Sequence, residues 1–298
     1  MIRDFRYLAP KTLEEALTLL NEYRDECKII AGGQSLLILM RQGLVTPEYL
    51  IDIKGISELN YVQSDAKEGL RIGALTTHRA IEKSPAMKNG FSVLAEMEHR
   101  LASIQTRNWG TIGGNICHAD PAGDPTSVLI ALNATVSTAN LKGKRNMAVE
   151  DFCLNFFETA LEPDELLTEI QVPPAPPRTG AAYTKFNIIE SDMATVGVAV
   201  SISLDAGQEL CKDIRIVLGA CAPTQVRAKQ AEGVLRGEKI TDNLLKQAGQ
   251  VASQEVEPIS DISASKEYRR ELVKVLVARV GQEALARARQ AQERGLRT

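Results

Sequence analysis

Two glycine clusters, far apart in the sequence, constrain this chain more than any other feature. One is Ala31-Gly32-Gly33-Gln34-Ser35 and the other is Thr111-Ile112-Gly113-Gly114-Asn115. Glycine tolerates positive φ and allows a ligand to approach the backbone, so successive N–H groups in such loops can converge on an anion. Either cluster alone is more readily a plain structural turn. Together they predict two loops built around one anion.

The flanking residues of the first cluster strengthen this interpretation. Ile29 and Ile30 end a β-prone run, and an apolar run from Leu36 to Arg41 predicts a helix after the loop. A helix that begins beside the loop adds N-terminal partial positive charge to the same anion site. The cluster is neither a GxGxxG fingerprint nor a phosphate loop with GlyLysSer, so the usual Rossmann and P-loop interpretations lack their motifs.

The second cluster lies among polar side chains that suit a nucleotide. Hydroxyl and amide groups flank its glycines, Arg107-Asn108 precedes it, and Asp124 follows it. A carboxylate repels phosphate but accepts hydrogen bonds from ribose or ribityl hydroxyls, which is the role predicted for Asp124. The two loops therefore suggest a cofactor that carries both a diphosphate and a polyol.

The chain divides into three predicted units. Residues 1–55 form a small α/β unit, in which Thr12 caps a helix that runs to Tyr23. Residues 56–175 form a mixed α+β unit, with helices predicted at 78–83 and 92–104. The proline-rich stretch at 172–180 reads as a connector between units.

Residues 176–298 form the last predicted unit, which begins with strands and ends with helices. Two β-branched runs, at 195–205 and 214–221, predict an antiparallel hairpin. Residues 267–294 predict an amphipathic helix that packs on its own domain. Its apolar stripe is predicted to contain Leu272, Val275, Leu276, Val280 and Leu285.

Composition excludes several classes of function. The formal net charge is -3 and no Lys/Arg stripe is interleaved with aromatics, which argues against nucleic-acid binding. The N-terminus lacks the apolar region of a secretory signal and no segment is apolar enough to span a bilayer, so a cytoplasmic location is expected. Five scattered cysteines without a CxxC pair argue against an iron-sulfur centre or zinc site within this chain.

Several motifs in this order resemble one family, the FAD-binding medium subunits of xanthine dehydrogenase and aerobic carbon monoxide dehydrogenase. The resemblance rests on residues 31–37, 107–108, 111–115, 124, 167–173 and 183–186, and it extends through the whole chain. It implies an α+β fold. A small N-terminal α/β unit and an antiparallel-sheet α+β unit would together hold an extended FAD, followed by a smaller C-terminal α+β domain.

The resemblance also implies the cofactor residues. The two loops would hold the diphosphate, His118 and Asp124 would lie near the diphosphate and ribityl region, Leu167 would contact the flavin ring, and Lys185 would supply a cation near reduced flavin. The complete predicted FAD-binding set is Ile29, Ile30, Ala31, Gly32, Gly33, Gln34, Ser35, Leu36, Ala102, Thr111, Gly113, Gly114, Asn115, His118, Asp124, Leu167 and Lys185.

One departure from the family pattern concerns the electron acceptor. Ile188 and Ile189 stand where relatives commonly place basic residues before an Asp-x-Ala step, which here is Asp192-Met193-Ala194. Less positive charge near the flavin edge would weaken binding of NAD phosphates, although Lys185 remains.

The implied function is electron transfer inside a larger complex. A large molybdenum-pterin subunit would oxidise the substrate, a small subunit with two [2Fe-2S] centres would carry electrons, and FAD in this chain would deliver them onward, in a dimer of heterotrimers. The chain itself supplies no catalytic acid or base, and its three histidines are scattered. Cys117 is predicted to be a small buried residue and Trp109 a core anchor. The alternatives are a free-standing FAD-dependent oxidoreductase and, less favoured, a scaffold without cofactor.

Overall fold

The N-terminal unit is a three-stranded parallel sheet with two helices. The computed structural model describes residues 2–88, 90–189, 191–207 and 209–295, with side chains through residue 291. Thr12 caps the first helix as predicted, since its hydroxyl accepts from the N–H of Glu15. The strand order is β1-β3-β2. The elements are β1 (Arg6–Leu8), α1 (Leu13–Tyr23), β2 (Cys27–Ile30), α2 (Leu36–Gln42) and β3 (Tyr49–Asp52).

The second unit is a five-stranded antiparallel sheet in the order β4-β5-β10-β6-β7, with a helical layer inserted between β5 and β6. The unit also contains a separate two-stranded hairpin, β8-β9. The elements are β4 (Val62–Asp65), β5 (Gly69–Gly73), α3 (His78–Lys83), α4 (Ser92–Arg100), α5 (Ile104–Trp109), α6 (Ile112–His118), α7 (Asp124–Ala131), β6 (Thr135–Asn140), β7 (Gly143–Ala148), β8 (Cys153–Asn155), β9 (Glu158–Thr159) and β10 (Leu166–Val172).

The third unit is a four-stranded antiparallel sheet followed by helices. The predicted hairpin is present, with Val198 of β12 opposite Leu218 of β13. The elements are β11 (Thr179–Phe186), β12 (Val196–Leu204), β13 (Cys211–Gly219), β14 (Val226–Arg227), α8 (Lys229–Leu235), α9 (Asp242–Ala252) and α10 (Lys266–Gly295).

The third sheet is covered on both faces, which explains why β12 is buried almost continuously instead of alternating. Val198 and Val200 pack towards the C-terminal helices. Ala199 and Val217 join the core of the second unit together with Val128 of α7. Every residue of α7 is buried, so its first residue, Asp124, begins inside the protein.

The structure corrects two predicted boundaries and one residue of a predicted helix face. The helix predicted at 92–104 ends at Arg100, because Ala102 adopts a φ of 43° and breaks it before α5. The connector is shorter than predicted, since β11 begins at Thr179. In α10, Val275 is exposed whereas Leu276 and Val280 are buried, so Val275 lies outside the apolar stripe. None of the described helices has both the length and the apolar character that crossing a lipid bilayer requires.

Candidate functional site

The first glycine loop packs against Trp109 and Gly110, which immediately precede the second cluster. A Cβ atom built on Gly32 would lie 2.2 Å from the backbone oxygen of Trp109 and 2.7 Å from the Cα atom of Gly110, so only glycine permits this approach. A Cβ atom built on Gly114 would lie 3.9 Å from the Cβ atom of Ala31. The fold thus brings together the two loops that the sequence predicted to share one ligand.

The first loop presents unpaired donors. It leaves β2 at Ile30, turns at Gly33 with a φ of 73°, and enters α2 at Leu36. Among the described residues, the backbone N–H groups of positions 32–35 have no hydrogen-bond acceptor. The hydroxyl of Ser35 makes no capping bond to α2. Consecutive free N–H groups with an adjacent hydroxyl form a suitable donor set for a diphosphate.

In the second cluster, some residues pack inside the protein and others are accessible to solvent. The Oγ1 atom of Thr111 caps α6 by accepting from the N–H of Gly114 at 3.2 Å. The N–H of Gly113 donates to the Ala74 oxygen at 3.0 Å, and Gly113 is buried against that residue. Gly114 is exposed and Asn115 is half-buried. The second cluster was predicted to be a loop with free N–H donors, but it forms the first turn of α6, and the N–H groups of residues 112–115 all donate within the protein. Gly113 has a packing role, and Gly114 and Asn115 form the accessible part of the cluster.

A buried arginine holds the turn at Ala102. The guanidinium of Arg107 donates to the backbone oxygens of Leu101 and Ala102, each at 2.8 Å. Its Nε atom lies 3.2 Å from a carboxylate oxygen of Glu82, which also pairs with Arg79. These contacts fix α5 and the start of the second loop against α3.

Glu82 is expected to make stability depend on pH. Burial alone would raise its pKa, but hydrogen bonds from His99 and Arg79 outweigh burial and lower the pKa from 4.5 to about 2. Because the pKa of Glu82 is lower in the folded state than in the unfolded state, its charge stabilises the fold. This stabilisation is complete above the unfolded-state pKa of about 4.5 and is lost as the pH falls to about 2. We expect Glu82→Gln to lower the free energy of unfolding by roughly 2 kcal/mol near neutral pH, with a smaller difference from the native chain at acid pH.

Urea unfolding across this pH range measures the effect. The matched control is Glu267→Gln, which changes an exposed carboxylate and should have almost no effect. A loss for Glu82→Gln that stays constant as the pH falls would show that Glu82 does not act through its charge.

A buried ion pair lies behind the second loop. The carboxylate of Asp124 accepts from the Tyr183 hydroxyl at 2.6 Å and from the Lys185 ammonium at 2.7 Å. The side chains of Asp124 and Lys185 are only 5% and 4% exposed. Burial raises the pKa of Asp124, although Lys185 and both hydrogen bonds oppose this rise. Asp124, predicted to face the polyol, and Lys185, predicted to lie near the flavin, therefore form an ion pair with each other in this structure.

A second buried pair, His78 and Glu98, lies beside the segment that leads into the second cluster. His78 Nδ1 lies 2.8 Å from Glu98 Oε2, and both side chains are almost completely buried. The backbone N–H of His78 donates to the Gly110 oxygen at 3.0 Å. Burial raises the pKa of Glu98. This pair connects α3 and α4 to the loop.

The remaining predicted residues have mixed surroundings. Leu167 is buried in the core of the second unit. His118 is half-buried beside the ring of Phe157, and burial lowers its pKa. Burial raises the pKa of the Cys117 thiol to about 12, so thiolate is negligible near neutral pH. Trp109 is 62% exposed, so the prediction of a core anchor was wrong.

Sequence reasoning missed the supporting residues Tyr183, Glu82 and His78. Tyr183 had a usable signal, since it precedes Lys185 by two positions on one strand and so shares its face. The sequence contained no signal for Glu82 or His78, because each pairs with a residue on another helix.

Comparisons with known proteins agree with this architecture. Residues 3–175 match the family model described as FAD binding domain in molybdopterin dehydrogenase, and residues 181–284 match the CO dehydrogenase flavoprotein C-terminal domain. The chain is 34% identical to the 6-hydroxypseudooxynicotine dehydrogenase complex subunit alpha of Paenarthrobacter nicotinovorans, over 97% of both chains. It is 36% identical to the glyceraldehyde dehydrogenase medium chain of Sulfolobus acidocaldarius, over 94% of this chain and 98% of that one.

A solved structure shares the whole fold. A chain of carbon monoxide dehydrogenase from Hydrogenophaga pseudoflava, in a form lacking the Mo-pyranopterin moiety of its cofactor, superposes with a TM-score of 0.92 at 35% identity. The match covers 96% of this chain and 99% of that chain.

Proposed function

This chain belongs to the family of FAD-binding domains in molybdopterin dehydrogenases, and from that premise we propose that it is the electron-transferring flavin subunit of a heteromeric molybdenum hydroxylase. Its cofactor is FAD, and it is an oxidoreductase subunit. Electrons would arrive from [2Fe-2S] centres of a small partner subunit and leave through FAD to an external acceptor. The observation that carries the proposal is the close backbone packing of Gly32 on the segment that leads into the second cluster, beside the free N–H donors of the first loop.

The residues fit an FAD diphosphate. The N–H groups of positions 32–35 and the Ser35 hydroxyl would hold its oxygens from one side, with exposed Gly114 and half-buried Asn115 on the other. Bound FAD accepts and releases electrons singly or in pairs, which suits a relay between iron-sulfur centres and an acceptor. Lys185 would act through Asp124, by holding its carboxylate in place at the start of α7.

The proposed partners are a large molybdopterin subunit and a small iron-sulfur subunit, assembled as a dimer of heterotrimers. Support comes from the relatives, whose names describe a complex subunit and a medium chain. The substrate would be oxidised on the large subunit, so this chain needs no acid or base of its own.

Affinity purification of the tagged chain, alone and from its native cells, tests the proposal. The isolated chain should be yellow, with one FAD per chain and neither iron nor molybdenum. From native cells it should bring both partner subunits, iron and molybdenum. A chain without partners that oxidises a substrate by itself would support the free-standing flavoenzyme instead, and a chain that takes up no FAD would refute both functions.

A further inference from the structure

A cavity of about 330 Å³ lies where the second and third units meet, beside the turn between α6 and α7. The tip of the β8-β9 hairpin, the segment before β12 and the segment before α10 form its other walls. The residues that decide its chemistry are Asp120, Phe157, Met193, Glu257, Ile259 and Arg269. Its size is that of a small-molecule site.

The hairpin tip has a sequence that turn formation does not explain. Phe156 and Phe157 are the two turn residues between β8 and β9, where small residues such as Asn-Gly are usual. Phe157 adopts a φ of 56°, which costs a bulky residue on the order of 1 kcal/mol. Both rings are nevertheless 43% and 59% exposed. Exposed aromatic rings on a strained turn are typical of a binding surface.

The hairpin tip contacts the end of α6, the helix that carries Gly114 of the proposed FAD site. The N–H of Phe157 donates to the Ala119 oxygen at 3.1 Å, and its ring centre lies 5.1 Å from that of His118. Both contacts are made at the C-terminal end of α6, whose N-terminal end carries Gly114. The cavity and the glycine loops therefore lie at opposite ends of one short helix.

The charges around the cavity disfavour a dinucleotide. Its lining holds three carboxylates, at Asp120, Glu257 and Asp261, against one cation, Arg269. That guanidinium donates to Asp261 at 2.6 Å and to the backbone oxygens of Thr195 and Ala220, so it is already engaged. A diphosphate would meet net negative charge here.

Apart from Ser263, the remaining side chains that line the cavity are apolar. Met193 and Ile259 are 55% and 59% exposed at the cavity, and the loop that leads to Met193 carries exposed Ile188 and Ile189. Met193 and Ile259 can cover an uncharged ring, and the two phenylalanines at the hairpin tip can stack on it.

We propose that this cavity binds an uncharged, planar electron acceptor of the quinone class. The inference rests on the proposed function, because the acceptor is reduced at the expense of FAD. Fully reduced, protonated FAD would supply both the two electrons and the two protons that convert the quinone to a hydroquinone, and the flavin would be left oxidised. NAD, with its diphosphate, is excluded as the preferred acceptor by the same lining.

Calorimetric titration of the FAD-loaded chain with ubiquinone-1, and separately with NAD, tests the inference. Ubiquinone-1 should bind and NAD should not. Phe157→Asn removes the ring while tolerating the positive φ, and should weaken ubiquinone-1 binding about tenfold with FAD content unchanged. Leu154→Ser is the matched control, because Leu154 is exposed on the same hairpin but does not line the cavity, and its affinity should stay within about twofold of the native value.

The outcomes separate the two proposals. A chain with one FAD that binds NAD but not ubiquinone-1, or an equal affinity in Phe157→Asn and the native chain, overturns the acceptor inference and leaves the flavin function standing. If Phe157→Asn instead weakens only the association with partner subunits, the cavity is part of a subunit interface and the inference is wrong. A chain that takes up no FAD refutes the flavin function itself.

Discussion

Gly114→Val is expected to lower the affinity for FAD by about 100-fold, equivalent to about 2.7 kcal/mol, while the chain stays folded. Gly114 is exposed, and a Cβ atom added there would lie 2.9 Å from Thr111 Oγ1 and 3.9 Å from the Cβ atom of Ala31 in the first loop. The Thr111 side chain must shift slightly to admit the valine, which then extends towards the first loop. The effect is steric, because Gly114 lies inside α6 and needs no positive φ. A valine there occupies space proposed for the diphosphate and obstructs the approach of phosphate oxygens to the backbone.

Fluorescence titration of the apo chain with FAD, alongside far-ultraviolet circular dichroism, measures this effect. Gly233→Val is the matched control, since Gly233 is an exposed helical glycine of α8 whose built Cβ meets no atom within 4 Å. The control carries the same helix-propensity cost and should retain native affinity. Native FAD affinity in Gly114→Val would place the diphosphate somewhere other than between the loops.

Asp124→Ala is expected to destabilise the chain by about 4 kcal/mol, because it leaves the Lys185 ammonium buried without its carboxylate. The unfolding midpoint should fall by roughly 10 °C. Tyr183 would lose its hydrogen-bond acceptor as well. The double variant Asp124→Asn with Lys185→Met should recover much of the loss, since it removes both charges and keeps the volume.

Differential scanning calorimetry of the FAD-free variants isolates this effect from cofactor binding. Lys266→Met is the control, because Lys266 forms an exposed pair with Glu267 at 3.9 Å and should contribute almost nothing. If the double variant is no more stable than Asp124→Ala, then charge compensation is not what Lys185 and Asp124 provide.

Local features of the fold were predictable from sequence, because they depend on neighbouring residues. The Thr12 cap and the helix that follows it were correct, and so was the β12-β13 hairpin. The break at Ala102 was missed, since it is stabilised by Arg107 after the turn and not by the composition of the turn itself.

The candidate site was only partly predictable. The glycine loops were recognisable because close backbone approach requires glycine, as Gly32 demonstrates. The pairing of Asp124 with Lys185 was not predicted, because it depends on the packing of α7 against β11. From the sequence, Asp124 was assigned to the polyol of the cofactor and Lys185 to the flavin. Trp109 was assigned to the core from the general usage of tryptophan, whereas it ends α5 with its side chain at the surface.

A crystal structure of the FAD-bound chain tests the central claim most directly. We expect diphosphate oxygens about 3 Å from the backbone nitrogens of residues 32–35, with Gly114 in contact on the opposite side. A diphosphate held away from these nitrogens, or touched by one loop alone, would contradict the account.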